Sequence, residues 1–295
     1  MVGAGRYAPS PSGDLHLGNL RTAVLAQLFA RSSGHRFLLR VEDLDRVRPG
    51  AQERQLADLR AIGIVWDELV RQSERRPLYD AALAGLIADR RVYECFCTRR
   101  EIQEAASAPH APPGAYPGTC RNLTAAERAE RTAARPAALR LRSEVADLTV
   151  TDLLTGPYTG QVDDFVLRRT DGIPAYNLAV VVDDDAQGVD QVVRGDDLLP
   201  STPRQAYLAG LLGLPVPQYV HVPLVLGPSG ARLAKRDGAV TLAELASDGV
   251  SADDVLSLLA VSLDLAEPGE PVSMPALERR FDPAGIPRAP WTWTG

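Results

Sequence analysis

The sequence predicts an α/β nucleotide-binding fold of the Rossmann type, laid down in two halves, and three observations point to it. A strand-like start breaks into a Pro/Ser/Gly loop that leads into a helix, in the run RYAPSPSGDLHLGN at residues 6–19. Leu20, Val24, Leu28 and Phe29 then follow helical spacing, and Phe37–Val41 reads as a short buried strand, the β-α-β start of a parallel sheet. Strand, helix and strand return late in the chain at Val189–Arg194, Thr202–Leu212 and Tyr219–Leu226.

In order along the chain, the helical stretches Gln52–Ile62 and Tyr79–Asp89 flank IVWDE, and the character changes near Val92. Three cysteines and the Pro/Gly-rich APHAPPGAYPG occupy 95–120; TAAERAERTAA then reads as a helix and Ala138–Arg142 as a strand. Phe165–Arg169 and Ala175–Val182, joined by TDGIP, are expected to form a β-hairpin. Ser201, Thr202 and Pro203 supply a helix start. Asp253–Val261 and Pro275–Phe281 read as short helices before a Pro/Trp tail. The expected organisation is a first half at 1–91, an insertion at 92–170, a second half at 171–240 and a short helical C-terminal region at 241–295.

Composition excludes several classes. Hydrophobic residues at 45% and charged residues at 24% are the ordinary balance of a soluble globular protein. No apolar run approaches the roughly 20 residues of a membrane span, and the start MVGAGRYAPSPSG lacks the apolar core of a signal peptide. A cytoplasmic monomer with no membrane partner is expected. A net charge of −6 argues against a generally basic nucleic-acid coat, yet residues 1–100 hold 16 Arg against 12 acidic residues, which leaves room for a local basic face. Lys235 is the only lysine among 32 basic residues, so its retention against a uniform arginine bias asks for a reason.

The loop before the first helix suits ATP. Backbone N–H groups at a helix N-terminus bind phosphate, Gly18 permits close approach, and the His16 imidazole can donate to phosphate oxygens. A bare His-x-Gly is usually an ordinary capped turn; the whole APSPSG-x-LHLGN string is far longer. Its companion would lie late in the chain and supply a mobile cation, and ARLAKRDGA at 231–239 fits, with Lys235 at its centre. An ammonium is a compact point charge that follows phosphate oxygens more freely than a planar guanidinium.

Cys95, Cys97 and Cys120 fall within 26 residues, which in a cytosolic protein suggests zinc more than a disulfide. By chemistry the fourth ligand is His110 or a water; the bland reading is three buried thiols. Zinc here would be structural, clamping a Pro-rich loop with little core of its own.

HLGN after APSPSG resembles the first signature of class I aminoacyl-tRNA synthetases, and RLAKR resembles the second, departing from it in keeping a single Lys with Arg236 last. RYAPSPSG, RVEDLD at 40–45, NLAVVVDD at 177–184 and VVRGDDLLPSTPRQ at 192–205 are similar to the glutamyl branch in particular. The resemblance spans residues 6 to about 240. It implies a class I catalytic domain that binds ATP with magnesium through His16, Gly18, Asn19 and Lys235, with His16 and Lys235 catalytic. It further implies that Arg6, Tyr7, Ala8, Pro9, Ser10, Glu42, Tyr176 and Arg194 surround L-glutamate. The chemistry agrees, since one ammonium and two carboxylates need an anionic partner and forked cationic donors.

The zinc-bearing insertion of one synthetase-like family has Tyr at the place of Tyr116, which implies the ligand set Cys95, Cys97, Tyr116 and Cys120. Only 60 residues follow Lys235, whereas the anticodon-binding domain of a glutamyl-tRNA synthetase adds roughly a hundred or more. That shortness resembles the glutamyl-queuosine tRNA(Asp) synthetases, which implies glutamate activation without tRNA, transfer to the queuosine base of tRNA(Asp), and no anticodon-binding domain. The alternatives are a shortened glutamyl-tRNA synthetase that charges the tRNA 3′ end, and a catalytically silent zinc and RNA-binding module.

Overall fold

The computed structural model describes residues 2–98, 100–102, 116–231, 233 and 240–294. The first block is β1 (Ala4–Tyr7), α1 (Leu17–Ser32), β2 (Arg36–Val41), α2 (Ala51–Ala61), β3 (Glu68–Arg71) and α3 (Arg76–Ala88). There follow β4 (Val92–Cys95), α4 (Ala125–Ala134), β5 (Ala138–Leu141), a hairpin of β6 (Asp147–Asp152) and β7 (Gly156–Gln161), and β8 (Val166–Arg168). The second block is α5 (Tyr176–Ala186), β9 (Val189–Gly195), α6 (Thr202–Leu211), β10 (Gln218–Val222) and β11 (Val225–Leu226). The chain continues through α7 (Leu242–Ser247), α8 (Ala252–Val261), α9 (Met274–Arg280) and β12 (Trp291–Thr292).

Among the described residues the main sheet has the order β3-β2-β1-β9-β10-β6-β7. Strands β3, β2, β1, β9, β10 and β6 run parallel, so each needs a crossover rather than a tight turn, and α1 and α6 serve as two of them. From β1 the chain builds outward to β2 and β3, and from β9 it builds the other way to β10. The reversal leaves a crevice at the carboxyl ends of β1 and β9, the place where open α/β sheets bind ligands. The β6–β7 hairpin, within the stretch 92–170, joins this sheet beside β10, whereas β4, β5 and β8 form a separate antiparallel sheet.

Side chains alternate across the sheet, so β1 serves two masters. Gly5 and Tyr7 face α1, and Ala4 and Arg6 face the opposite side. Eleven of the sixteen residues of α1 are buried, because the helix is covered on its far side as well. There the Phe29 and Phe281 rings meet edge-on at 5.0 Å. Arg21 of α1 donates to the Ser262 Oγ (3.1 Å) and carbonyl (3.2 Å) and to the Pro223 carbonyl (2.9 Å), and Gln27 donates to Glu278 (2.7 Å). The C-terminal helices are thus part of the same core as the first helix. No helix among the described residues is long and apolar enough to cross a membrane.

One expected element is different. Phe165–Arg169 contributes β8, but the hairpin with Ala175–Val182 does not form, because that run opens α5. Leu178 to Val182 are all buried between β9, β8, α3 and α6. A short apolar run buried on every side has no polar face, and periodicity then cannot separate helix from strand. The strand expected over Tyr219–Leu226 is also split into β10 and β11 around Pro223, which lacks the N–H to continue a ladder.

The close approach of α1 to β1 depends on Gly5, where an added Cβ would stand 2.8 Å from the Ala30 Cβ. Gly5→Ala is expected to lower unfolding free energy by about 1–3 kcal/mol, the range for overpacking. Urea unfolding of the two proteins checks this; an unchanged midpoint would show that α1 can simply slide outward.

Candidate active site

Parallel register gathers charge at the carboxyl ends of four strands. Arg6 stands opposite Leu38 and Val192; Arg40 and Arg194 lie two positions further along and therefore on the same face, and His221 stands opposite Arg194. Arg40 is fully buried, and Arg6 and Arg194 are 4% and 5% exposed. The last turns of α5 bring Asp183 and Asp184 over the same face.

Two of the arginines share carboxylates. Asp184 Oδ1 accepts from Arg40 Nη1 at 2.7 Å and from Arg6 Nε at 3.4 Å, and Arg6 Nη1 also donates to the Val193 carbonyl at 3.2 Å. Burial would raise the Asp184 carboxyl, but Arg40 and Arg6 outweigh it and hold it below the usual range. Asp183, with no exposed side-chain surface, accepts from Gln72 (2.8 Å), Arg75 (2.6 Å) and Tyr79 (2.8 Å), and lies 3.7 Å from Arg40 Nε. Glu42 sits at the mouth of this network, 3.7 Å from Arg40 Nη2, and burial pushes it up to about 7 against the pull of Arg40 and Arg6.

Arg194 is different in kind, for its hydrogen-bond partners are neutral. Nε donates to His221 Nε2 (3.0 Å), Nη2 to Thr202 Oγ1 (2.8 Å) and Nη1 to the Tyr176 hydroxyl (3.4 Å). Tyr176 opens α5 and is 40% exposed, so this end of the guanidinium points toward the mouth of the crevice.

At the other side of the crevice, His16 is the N-cap of α1. Its Nδ1 accepts from the amides of Gly18 (3.1 Å) and Asn19 (3.4 Å), while the Asn19 side chain accepts from the His16 amide at 3.2 Å. The Leu17 amide donates to the Val240 carbonyl at 3.0 Å. The first-turn amides expected to meet phosphate are therefore engaged within the protein, and an imidazole that accepts at Nδ1 carries its proton on Nε2. Gly18 leaves room for this cap, since a Cβ there would press on the His16 ring at 3.0 Å.

The family described as tRNA synthetases class I (E and Q), catalytic domain, matches residues 4–262. A protein of Nocardia farcinica named glutamyl-Q tRNA(Asp) synthetase is 70% identical over 294 residues, covering 99% of this chain and 93% of its own. One of the same name from Cutibacterium acnes is 53% identical over 97% of this chain and 84% of its own. A glutamate tRNA ligase from Elizabethkingia meningosepticum, solved in complex with its amino acid, superposes with a TM-score of 0.85 at 28% identity, over all of this chain and 67% of that one. The chain belongs to the glutamyl-Q tRNA(Asp) synthetase family of class I tRNA synthetases.

This is a family of ligases, and the structure shows where its expected site residues fall in this member. Arg6, Glu42, Tyr176 and Arg194 come together at the carboxyl end of the sheet. Pro9 accepts from the Glu42 amide at 3.0 Å, and the Ser10 and Gly13 carbonyls accept from Gln55 of α2, which pins the loop carrying Ala8, Pro9 and Ser10. Tyr7 puts its ring into the α1-side core, on the opposite face from Arg6. Lys235 and His110 lie outside the described residues.

Away from the crevice, Cys95 at the end of β4 meets Cys97, Tyr116 and Cys120. The three sulfurs lie within 4.8 Å of one another. Tyr116 Oη is 3.3 Å from Cys95 Sγ and 3.6 Å from Cys97 Sγ, and Cys97 and Cys120 are 3.5 Å apart. These spacings approach the edge of a tetrahedron with metal–sulfur bonds of roughly 2.3 Å, so the cluster is compatible with a metal site.

Asp183 and Asp184 entered the reading of the sequence only as the end of NLAVVVDD, with no role assigned, and His221 and Asp152 escaped it. The signal for the first two was present in VVVDDD, where acidic residues follow directly on an apolar run. Because Asp183 ties Gln72, Arg75 and Tyr79 of α3 to α5, Asp183→Ala would strand the Arg75 guanidinium and leave the Gln72 and Tyr79 donors unmet. A loss of about 3–5 kcal/mol is expected, the scale for breaking a buried pair from one side. Chemical denaturation reads it, and a loss under 1 kcal/mol would mean that water enters to replace the carboxylate.

Proposed function

We propose that the protein activates L-glutamate with ATP to glutamyl-adenylate without tRNA, and transfers the glutamate to the queuosine base of tRNA(Asp). The observation that carries this reading is the unequal pairing of the buried arginines. Arg6 and Arg40 are paired with Asp184, whereas the hydrogen-bond partners of Arg194 among the described residues are His221, Thr202 and Tyr176, with no carboxylate in contact. A buried guanidinium without a contacting carboxylate is stabilised by an anionic ligand, and the side-chain carboxylate of glutamate is one. Glu42 stands opposite as the partner for the ammonium; its proton, held up to about pH 7 by burial, leaves as a cation arrives. Arg6 borders the same space, and the loop of Ala8, Pro9 and Ser10 follows beside it, while the Tyr7 ring stays in the core on the other face.

The α-carboxylate of glutamate attacks the α-phosphorus of ATP, the bond to the bridging oxygen breaks, and pyrophosphate leaves with magnesium. His16, donating from Nε2, and Lys235 stabilise the charge that builds on the α-phosphate, with Gly18 and Asn19 holding the imidazole in that tautomer. A hydroxyl of the queuosine cyclopentene diol then attacks the adenylate carbonyl and AMP departs. Such a diol resembles that of a ribose, and a loop with splayed bases is a usual target of sequence-selective RNA readers. The full-length likeness to proteins named glutamyl-Q tRNA(Asp) synthetase supports this acceptor over the tRNA 3′ end.

Two assays test the function. Pyrophosphate exchange with glutamate should proceed with no RNA present; its absence would remove glutamate activation. Queuosine-containing tRNA(Asp) lacking its 3′-terminal adenosine should still accept labelled glutamate, and the same tRNA with guanine at that position should not. Label lost with the terminal adenosine would assign the protein to ordinary charging.

Cys95, Cys97, Tyr116 and Cys120 would hold zinc, which supplies a structural clamp across the insertion. The Phe96 amide (3.5 Å) and Arg131 Nη1 (3.7 Å) both donate to Cys120 Sγ, as suits a metal-bound thiolate. Metal analysis of freshly purified protein should find about one zinc per chain. Metal-free protein that melts at the same temperature as the untreated sample would leave the thiols as core residues.

A further inference from the structure

The unusual neutrality around Arg194 has a structural origin deeper in the sheet. Asp152, at the end of β6, has no exposed side-chain surface and directs Oδ2 at His221 Nδ1 across 2.7 Å. The same oxygen accepts the His221 backbone N–H at 2.9 Å, and Oδ1 accepts from the Leu154 (3.0 Å) and Thr155 (2.9 Å) amides and the Thr155 hydroxyl (2.6 Å). Every bond into this carboxylate is a donation, so its place and orientation are fixed by the turn that follows β6.

Both neighbours of the imidazole then dictate one tautomer. A carboxylate can only accept, so Nδ1 carries the proton; a guanidinium can only donate, so Nε2 presents its lone pair to Arg194 Nε. Thr202 Oγ1 lies 3.1 Å from the same Nε2 while accepting from Arg194 Nη2 at 2.8 Å, which closes a ring of bonds around the guanidinium. Burial, reinforced by the charge of Arg194, holds His221 below the usual imidazole value despite Asp152, so the ring stays neutral.

We propose that Asp152 and His221 form a positioning relay that orients Arg194 through a neutral acceptor and thereby sets the preference of the pocket for a carboxylate side chain over an amide. The inference rests on the reading of Arg194 as the partner of glutamate's side chain. Had the fold placed a carboxylate directly against Arg194, the guanidinium would be equally well held but its charge would be cancelled at contact. With an imidazole between, Asp152 fixes geometry while standing one ring away from the cation. Nη1 is left aimed at Tyr176 and the crevice with its charge available, and discrimination between glutamate and glutamine depends on that charge.

Replacement of His221 by Gln, Asn and Leu separates this role from simple packing. A Gln carbonyl can occupy the place of Nε2 and accept from Arg194, whereas an Asn amide reaches only the place of Nδ1. Pyrophosphate exchange on the full chain is the readout, with thermal melts run alongside. Wild-type exchange with glutamate comes first, since its absence would overturn the glutamate reading and this inference together. Given exchange, His221→Leu and His221→Asn are expected to raise the glutamate KM by about 10–100-fold, the worth of a hydrogen bond to a charged group. ATP KM should move by less than about threefold, and the preference for glutamate over glutamine should fall in step; His221→Gln should keep glutamate KM within about threefold of wild type. The relay is overturned if Asn and Gln behave alike, if glutamate and ATP KM rise together, or if Leu leaves the preference unaltered. Should His221→Leu fail to fold, the comparison of Asn with Gln decides alone.

Discussion

Burying Arg6, Arg40 and Arg194 on one face of a parallel sheet is the constraint from which much of the molecule follows. Each guanidinium taken out of water costs several kcal/mol unless its charge and its donors are met. The parallel register brings the three within reach of one another, so their repulsion must be met as well. The acidic end of α5 answers this for two of them. Asp183 and Asp184 reach them because α5 packs against β9, with its first residue Tyr176 beside Arg194 and its last turns running back toward the start of that strand. The third is held by neutral hydrogen-bond partners, and the electrostatic imbalance that remains is the basis of the glutamate site proposed above.

The same constraint explains why the opposite face is so apolar. All the buried charge of the crevice lies on the side of α5, which leaves Gly5, Tyr7, Phe37, Leu39, Val193 and Val220 to face α1 and the C-terminal helices. Strand β1 is the division between them. Its Gly5 lets α1 come close, and its Arg6, one residue on, reaches Asp184. A charged face and a packing face are thus specified by four consecutive residues, and a shift of one residue in register would put a guanidinium into the hydrophobic core.

Much of this was legible in the sequence where local pattern and chemistry coincide. The strand, loop and helix around RYAPSPSGDLHLGN are set by Pro, Gly and a capping histidine, and α1, β2, α6 and β9 lie within a few residues of where periodicity puts them. The glutamyl-branch resemblance brought Arg6, Glu42, Tyr176 and Arg194 into one list, and the fold brings them into one place. Periodicity fails at α5, because a helix enclosed on all sides shows no polar stripe, and its β-branched valines suggest a strand. His221 and Asp152 were invisible for another reason. They are 69 residues apart and meet only through the β10–β6 pairing, in which a strand of the supposed insertion returns to the main sheet. No local spacing encodes such a contact.

The two signature segments are also joined by a bond that neither predicts alone. His16 forms a bridge with Thr241, and the Leu17 amide bonds the Val240 carbonyl, so the chain leaving the second signature is fastened to the residue that opens the first. On the other flank of that segment Leu233 is buried and its amide reaches the Val225 carbonyl at 3.3 Å. Lys235 therefore lies in sequence between two anchors, one of which is the N-cap of α1. Because the Gly18 and Asn19 amides are consumed by the cap, the ATP site proposed above draws its positive charge from side chains rather than from the helix terminus. Under that proposal the requirement supplies a physical reason for an ammonium in a chain whose other basic residues are all arginine.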